Sequence, residues 1–421
     1  MSYASYRVMT RMLWPIAVSV AALRTVTGSR EWGERVGRTP RTAAGSVWLH
    51  AASVGEVAAV TPLARALAVR GPGVFLTVVT PTGRAVAARS LADLTVSFAP
   101  LDFVTAVRRT LRSVGPRALL LTETELWPNT IYESAAAGLP VGVVNGRLSE
   151  KSLRRYTMIG SPLKGVVSRL SFAACRSETD ASHFRELGLA QSRVTVVGDM
   201  KFDKLAAPLN DRERAGLRSS LGIPADAPVV VFGSVRPKEE SEVAAAAAAV
   251  VDGFPGSRVV IAPRHLERVE HVVRALAVRG VESTLRSARD GAGAGRATVV
   301  DTTGELARLY AVGSVAFVGG TLAPYGGHDP LEPAAQGVPV VVGRHTETCR
   351  DSALRLLSAG AAVEVAEDGE LAGELIRFLS DANARGEAGA NALKAVAAGR
   401  GATARTVGFL ESIGVLDGAS G

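Results

Sequence analysis

Short, almost wholly apolar runs alternate with amphipathic or alanine-rich stretches along most of the chain. The first half contains SVWLHAA, VFLTVVT, TVSFAPL, RALLLTET, PVGVVNGR, SFAACRS and VTVVGDM, and the second half contains VVVFGSV, SRVVIAPR, ATVVDTT, SVAFVGG, PVVVGR and AAVEVA. Strands that are apolar on both faces and separated by helices are typical of a parallel sheet covered on both sides. The pattern therefore predicts an α/β protein with two parallel sheets in tandem.

The predicted domains follow from the point where this alternation restarts. We predict an N-terminal helix over 1–30, a first Rossmann-like domain over 31–206, a polar, proline-bearing linker over 207–228, a second Rossmann-like domain over 229–385, and C-terminal helices over 386–421. A chain of 421 residues is also longer than one hydrophobic core usually supports. We expect the two domains to face each other across a cleft.

The N-terminal segment 12–23, MLWPIAVSVAAL, is apolar and is flanked by Arg7, Arg11, Arg24 and Arg30. It is shorter than the roughly 20 residues that span a bilayer, and the charged stretch after it is unlike a signal-peptide cleavage site. The pattern favours a helix that lies in the membrane face with its arginines at the headgroups. An ordinary core helix is the alternative.

The net charge of +8 and the pI near 9.8 favour anionic partners such as phosphates, nucleic acid or a membrane surface. No stripe of interleaved aromatic and basic residues occurs, which argues against nucleic acid. The two cysteines, Cys175 and Cys349, lie too far apart for metal-ligand spacing and indicate thiols in a reducing compartment. No D-x-D pair suggests a metal-bridged substrate, so we predict neither metal nor cofactor.

Polar and glycine residues follow three predicted strands of the second sheet, in APRHLER, TGELARLY and GGHDPLEP. Ligands of open parallel sheets bind past the carboxyl ends of the strands, glycines let the backbone approach a ligand, and helix N-termini attract anions. The pattern therefore predicts a phosphate-binding site. Its candidate residues are Arg264, His265, Gly304, Glu305, Gly327, His328, Asp329 and Glu332.

Carboxylates follow strands of the first sheet. WLHAASVGEV is expected to turn at Gly55 and present Glu56, and TETELWPN places Glu123 and Glu125 after a buried run. A positioned carboxylate can take a proton from an attacking hydroxyl, although a solvated loop is the alternative for the last two. Further polar candidates in NGRLSEKS and GDMKFDK are Asn145, Arg147, Ser152 and Lys201.

The order of these motifs over 34–350 resembles the Kdo transferases of bacterial lipopolysaccharide synthesis, which move 3-deoxy-D-manno-octulosonic acid (Kdo) from CMP-Kdo onto the lipid A precursor. The resemblance rests on ERVGR, HAASVGE, TPTG, TETELWPN, NGRLSEKS, GDMKFD, GSVRPKEE, APRHLER, TGEL, FVGGTL and GGHDPLEP. It implies a GT-B fold, with the acceptor on the first domain and the donor on the second. It also implies an enzyme at the cytoplasmic face of the inner membrane, whose partners are CMP-Kdo, a lipid A precursor and the anionic membrane surface.

The resemblance also implies roles for individual residues. Glu56 would be the general base, and Glu123 and Lys201 would support the transition state. Nucleotide contacts would come from Pro263 and Arg264, from Thr303, Gly304 and Glu305, and from Asp329, Pro330, Leu331 and Glu332. Asp329 departs from the family, which usually has Asn there.

Two questions stay open at this stage. A helix N-terminus should lower the pKa of Glu56, whereas a dry site should raise it. The alternatives to Kdo transfer are a GT-B transferase or sugar-nucleotide epimerase that uses a UDP-sugar, and an inactive nucleotide-sugar-binding module.

Overall fold

The computed structural model describes residues 3–26, 30–42, 44–71, 73–159, 161–288, 295–366 and 369–416. The chain divides into two compact units. Unit 1 comprises Met1–Lys204 together with Gly399–Gly421, and unit 2 comprises Leu205–Ala398.

Each unit is built on one seven-stranded sheet in which every paired strand runs parallel to its neighbour. The strands are β1 Val47–His50, β2 Val74–Val78, β3 Thr95–Phe98, β4 Ala118–Thr122, β5 Val141–Gly146, β6 Phe172–Cys175, β7 Val194–Val196, β8 Val229–Val235, β9 Arg258–Pro263, β10 Ser283–Leu285, β11 Ala297–Val299, β12 Val315–Val318, β13 Val340–Gly343 and β14 Ala362–Val365.

The strand order is β3-β2-β1-β4-β5-β6-β7 in unit 1 and β10-β11-β9-β8-β12-β13-β14 in unit 2. The order therefore changes direction between β1 and β4 in the first sheet and between β8 and β12 in the second. Ligands of doubly wound sheets bind at such switch points. In each unit, a binding site is therefore expected among the residues that follow these two strands.

Helices join the strands. They are α1 Tyr3–Val26, α2 Arg30–Arg35, α3 Val54–Ala68, α4 Pro81–Ser90, α5 Val104–Val114, α6 Pro128–Ala136, α7 Glu150–Ile159, α8 Ser161–Val167, α9 Glu178–Glu186, α10 Asp211–Ser220, α11 Glu240–Gly253, α12 Val269–Val278, α13 Leu306–Leu309, α14 Leu331–Ala335, α15 Arg350–Ser358, α16 Glu370–Ser380, α17 Ala382–Gly399 and α18 Ala402–Ser412. Short 3-10 helices cover Gln191–Arg193, Met200–Phe202, Leu266–Arg268 and Tyr310–Val312.

The central strands are buried along their whole length, as the apolar runs predicted. All residues of β1, β2, β4 and β12 are buried, and so are both cysteines. The pattern missed β10, Ser283–Leu285, which has no fully buried residue and, among the described strands, pairs only with β11. A short edge strand needs no apolar run, because one side and part of its faces meet solvent.

The predicted linker over 207–228 is wrong, because most of this segment folds onto unit 2. Helix α10 begins at a capping box formed by Asn210 and Glu213. Its Arg218 donates to the carbonyl oxygens of Val312 at 3.1 Å and Pro224 at 2.7 Å. These contacts close the segment onto the hydrophobic cluster around Tyr310.

The C-terminal helices also do not form one region over 386–421. Most of α17 belongs to unit 2, whereas α18 returns to unit 1. Asp203 accepts hydrogen bonds from the backbone N–H groups of Gly401 and Thr403, both at 2.6 Å. Leu410 then packs in the core that also holds Leu63 of α3. The hydrophobic core of unit 1 is therefore completed by a helix that begins nearly 200 positions downstream of Asp203.

Helix α1 is longer than its apolar segment and contains Pro15. One side is fastened to unit 1, since the Tyr6 hydroxyl donates to Asp102 at 2.9 Å and Asn129 donates to Thr10 at 3.1 Å. Trp14 packs against Phe103 of unit 1, but most of the large apolar side chains are exposed instead of buried, which contradicts the core-helix alternative. They include Val8, Met9, Met12, Leu13, Ile16, Val20 and Leu23.

The arginines that flank the apolar segment are not all available to a surface. Arg7 is paired with Glu133 at 3.1 Å, within unit 1, and the side chain of Arg30 lies outside the described part of the chain. Within the described ranges, no helix has the length and apolar character needed to cross a membrane.

Candidate functional site

Glu56 lies in the first turn of α3, directly after β1 in unit 1. The helix begins at Ser53, whose hydroxyl oxygen accepts the Glu56 backbone N–H at 3.3 Å. The Glu56 carboxylate folds back over this turn and accepts the Ala52 N–H and the Ser53 hydroxyl, both at 2.9 Å. The predicted turn at Gly55 is wrong, because Gly55 is already helical and the chain turns before it.

The pKa of Glu56 is raised above its usual value, mainly because the carboxyl is buried. The hydrogen bonds from Ala52 and Ser53 act in the opposite direction, and the negative charges of Glu125 and Glu123 raise the pKa further. Burial therefore outweighs the hydrogen bonds from Ala52 and Ser53, and the pKa of Glu56 is raised overall. The carboxylate is a stronger base than an exposed glutamate.

Glu125 follows β4, the other strand at the switch point, and is held charged. Burial opposes the charge, but the neighbouring His50 ring and a hydrogen bond from Trp127 lower its pKa overall. The Trp127 indole N–H donates to it at 2.7 Å, and His50 Nε2 lies 3.9 Å away. Thr77 accepts the Trp48 indole N–H at 2.9 Å and lies 2.9 Å from His50 Nδ1. With Thr77 donating to Nδ1, the proton of a neutral His50 lies on Nε2, toward Glu125.

Glu123 adopts a left-handed backbone conformation with φ of 56°, which is uncommon outside glycine and often found at functional sites. Burial raises the pKa of its carboxyl, and Arg176 and Arg147 counteract this. Arg176 and Lys201 both lie against Asp199, at 3.2 and 3.6 Å. Glu123 therefore lies beside a cluster of charges that extends from β6 and β7 to Lys201.

The remaining candidates of unit 1 have different positions. Asn145 is buried and accepts the backbone N–H of Met200 at 3.0 Å, so it holds the segment that carries Lys201. Ser152 lies in the first turn of α7, and its hydroxyl is bonded to Ser149 at 3.0 Å. Arg147 is exposed. Asn145 is thus held inside unit 1, whereas Ser152 is partly exposed and Arg147 presents its side chain to solvent.

Motif spacing did not single out His50, Arg176 and Asp199. His50 is part of the apolar β1 run, and Arg176 and Asp199 follow β6 and β7. Their position in the sequence could have identified them. Each of these polar residues lies at or just after the carboxyl end of an apolar strand, at the edge of the sheet where Glu56 and Glu123 were already expected.

In unit 2, Pro263, Arg264 and His265 end β9. Pro263 is buried, and Arg264 is exposed with its backbone N–H bonded to the Val235 oxygen at 2.9 Å. His265 Nε2 lies 2.7 Å from Nη1 of Arg236.

Thr303, Gly304 and Glu305 lie between β11 and α13, as the expected strand-to-helix turn requires. Helix α13 has only four residues, so its dipole contributes little attraction for an anion. Thr303 and Gly304 are exposed. Glu305 accepts a hydrogen bond from Thr302 and pairs with Arg286 at 3.3 Å.

The GGHDPLEP segment follows β12 at the switch point of unit 2. Burial, and then the neighbouring Arg236, Arg264 and His265, lower the pKa of His328 to about 4, so its ring is neutral at physiological pH. Gly327 adopts a positive φ of 81°.

The rest of this segment starts α14. Pro330 and Leu331 are buried, while Glu332 is exposed in the first turn. Asp329 accepts the Leu331 N–H at 3.1 Å through a single oxygen. An asparagine could accept the same bond, so replacing the family's Asn by Asp keeps this cap.

Glu239, which the motifs did not single out, fixes the loops on both sides of the switch point. Its carboxylate is 1% exposed and accepts backbone N–H groups from Arg236 and Gly320 at 2.8 Å and from Leu322 at 2.9 Å. It therefore ties the loop after β8 to the loop after β12.

The fold is shared with solved enzymes. UDP-GlcNAc 2-epimerase from Neisseria meningitidis, bound to UDP-GlcNAc, superposes with a TM-score of 0.61 at 11% identity, covering 87% of this chain and 100% of that one. A glycosyltransferase from Rickettsia africae ESF-5 superposes with a TM-score of 0.59 at 10% identity, covering 89% and 100%. The fold is thus that of the two-domain, GT-B-like enzymes, with polar residues gathered at both switch points.

Sequence similarity narrows this class to one family. Residues 30–204 match the family model described as 3-deoxy-D-manno-octulosonic-acid transferase (kdotransferase). The 3-deoxy-D-manno-octulosonic acid transferase of Bordetella pertussis is 34% identical over 392 residues, which covers 90% of both chains. The chain belongs to the Kdo transferase family of glycosyltransferases, as its motifs predicted.

Proposed function

We propose that this protein transfers Kdo from CMP-Kdo onto a lipid A precursor in lipopolysaccharide synthesis, with Glu56 as the general base. The observation that carries the role of Glu56 is its carboxylate after β1, with a raised pKa and both oxygens oriented by Ala52 and Ser53. A base is most effective when its pKa lies near the working pH.

In the proposed reaction, an acceptor hydroxyl oxygen forms a bond to the anomeric carbon of Kdo while the bond from that carbon to the CMP phosphate oxygen breaks. Glu56 takes the hydroxyl proton, and CMP leaves with the bonding electron pair. Each Glu56 oxygen accepts one described hydrogen bond, which leaves a lone pair for the proton.

We place Lys201 and Glu123 at the developing charge of the transition state, supported by Arg176 and Asp199. The donor is assigned to unit 2, to the ends of β9 and β12. Arg264 is exposed there, and within the described ranges its guanidinium has no ion-pair partner. An unpaired guanidinium suits a phosphate.

We further propose that the protein works at the cytoplasmic face of the inner membrane and docks through α1. The support is the exposed apolar side of α1, with Met12, Ile16 and Leu23 outward, while its other side is bonded to unit 1. Such a helix can insert its apolar side into the headgroup boundary.

The test of the base is Glu56→Gln. The amide can accept the Ala52 N–H and donate to Ser53, so the helix start is retained while the basic site is lost. We expect Kdo transfer from CMP-Kdo to a tetraacylated lipid A precursor, resolved by mass, to fall about 10²–10⁴-fold. CMP binding should stay within a few-fold.

Glu150→Gln is the matched control, because Glu150 is an exposed glutamate on α7. Near-normal turnover of Glu56→Gln would remove Glu56 as the base. Turnover of a UDP-sugar instead of CMP-Kdo by the unmodified enzyme would favour the alternative transferase or epimerase, and CMP binding without any turnover would favour a binding module.

A further inference from the structure

Arg236, a residue that the motif analysis did not single out, follows β8 at the switch point of unit 2. Strand β8 pairs with β9 on one side and with β12 on the other. The loop after β12 carries Gly320 and His328, so the loops of Arg236 and His328 leave neighbouring strands at the edge where open parallel sheets bind ligands.

The charge of Arg236 is not matched by an anion among the described residues. Its Nη1 donates to His265 Nε2 at 2.7 Å, and its guanidinium lies 5.0 Å from the Tyr325 ring centroid. A guanidinium can only donate, so the imidazole nitrogen that accepts is unprotonated. Both neighbours are thus neutral, and Arg236 Nε is buried with no hydrogen-bond partner in the described part of the chain.

Glu239 accepts the backbone N–H groups of Arg236, Gly320 and Leu322, so these three donors of the two loops are not available to an anion. The same bonds fix the backbone from which the Arg236 side chain extends. The guanidinium of Arg236 is therefore a donor that an anionic ligand at this point can use.

His328 lies beside Arg236 across Gly320. A Cβ on Gly320, which has φ of +75°, would lie 3.3 Å from the His328 ring and 3.6 Å from Cγ of Arg236. His328 Nε2 is also buried without a hydrogen-bond partner in the described residues. Two unpaired side-chain nitrogens are thus held on the two sides of one glycine, next to the exposed Arg264.

We infer that Arg236 binds an anionic oxygen of the sugar-nucleotide donor, with His328 beside it. The inference rests on the proposed function and extends it by one binding residue. The donor carries two such groups, the nucleotide phosphate and the sugar carboxylate. The planar fork of a guanidinium can bond either in bidentate fashion.

The first test compares cytidine, CMP and CMP-Kdo by titration calorimetry on the full-length protein. We expect Arg236→Gln to weaken CMP binding about tenfold or more and to leave cytidine binding unchanged. Arg236→Lys keeps the positive charge but lacks the planar fork of the guanidinium. Its affinity for CMP should lie between those of the unmodified protein and Arg236→Gln. Arg274→Gln is the matched control, because Arg274 is exposed on α12 and paired with Glu270 within the same helix.

Comparing these ligands shows whether Arg236 binds the nucleotide phosphate or the sugar carboxylate. Weaker binding of CMP by Arg236→Gln assigns Arg236 to the phosphate. Weaker binding of CMP-Kdo with unchanged binding of CMP assigns it to the sugar carboxylate. An unchanged affinity for all three ligands, or an equal loss for cytidine, overturns the inference.

A second measurement needs no Arg236 variant. The His328 ring protons, assigned by their loss in His328→Asn, are titrated by NMR in the unmodified protein. The positive charges of Arg236 and Arg264, together with His265, face this ring and depress its pKa. An anion between them should raise the His328 pKa, so CMP or CMP-Kdo should do so and cytidine should not. No rise with either nucleotide overturns the inference.

A comparison of CMP with UMP distinguishes a failure of this inference from a failure of the proposed function. If the unmodified protein prefers UMP to CMP, the donor assignment fails. The comparison of UMP with uridine in Arg236→Gln then still decides whether Arg236 binds the phosphate.

Discussion

The exposed apolar side of α1 can be tested by removing it while its bonded side stays intact. We propose the triple substitution of Met12, Ile16 and Leu23 by Gln, a good helix former. Deleting 1–25 is a less clean change, because it would also remove Tyr6 and leave buried Asp102 without one of its donors.

The size of the expected effect follows from the exposure of these side chains, which are 73%, 62% and 68% exposed for Met12, Ile16 and Leu23. Fully burying a side chain of this kind contributes about 1.5–3 kcal/mol. The three exposed portions amount to about two complete side chains, so their insertion into a membrane interface contributes about 3–6 kcal/mol. We therefore expect the triple variant to bind vesicles about 10²–10⁴-fold more weakly.

The assay is co-sedimentation with anionic vesicles at low and moderate salt, with urea unfolding to show that α1 stays docked. The control variant replaces Val69, Val278 and Leu354, which are exposed apolar residues on α15 and at the ends of α3 and α12, by Gln. It should sediment like the unmodified protein. Equal sedimentation of the α1 variant and the control would refute docking through α1 and assign it to the basic surface of the rest of the chain.

Three further predictions concern the sites. Arg264→Ala should weaken CMP binding about 10–150-fold, because charge-assisted bonds to a phosphate contribute about 1.5–3 kcal/mol; tighter binding of UDP than of CMP would contradict the donor assignment. Glu125→Gln removes a negative charge that raises the Glu56 pKa, so the acid limb of the pH–rate profile, where the base becomes protonated, should move to lower pH. An unmoved limb would show that Glu56 is not the titrating group. Glu239→Gln turns an amide donor toward backbone N–H groups and should lower the free energy of unfolding by about 1–3 kcal/mol in urea, whereas exposed Glu267→Gln should not.

The sequence alone determined the sheets and the family. Thirteen of the fourteen strands coincide with apolar runs, because a strand buried on both faces must be apolar at every position. Glu56, Glu123 and His328 were found because the polar segments that contain them come after such runs. These are local features, readable within a few neighbouring residues.

Tertiary structure decided whatever depends on residues far apart in the chain. Examples are the bonds from Glu239 to Gly320 and Leu322, more than 80 positions away. Another is the return of α18 to Asp203. Whether an apolar helix is buried depends on the surface available to cover it, so only the structure showed that α1 exposes its apolar side. The rise in the Glu56 pKa was also undecided by sequence, because burial is a property of the folded chain and here outweighs the local hydrogen bonds.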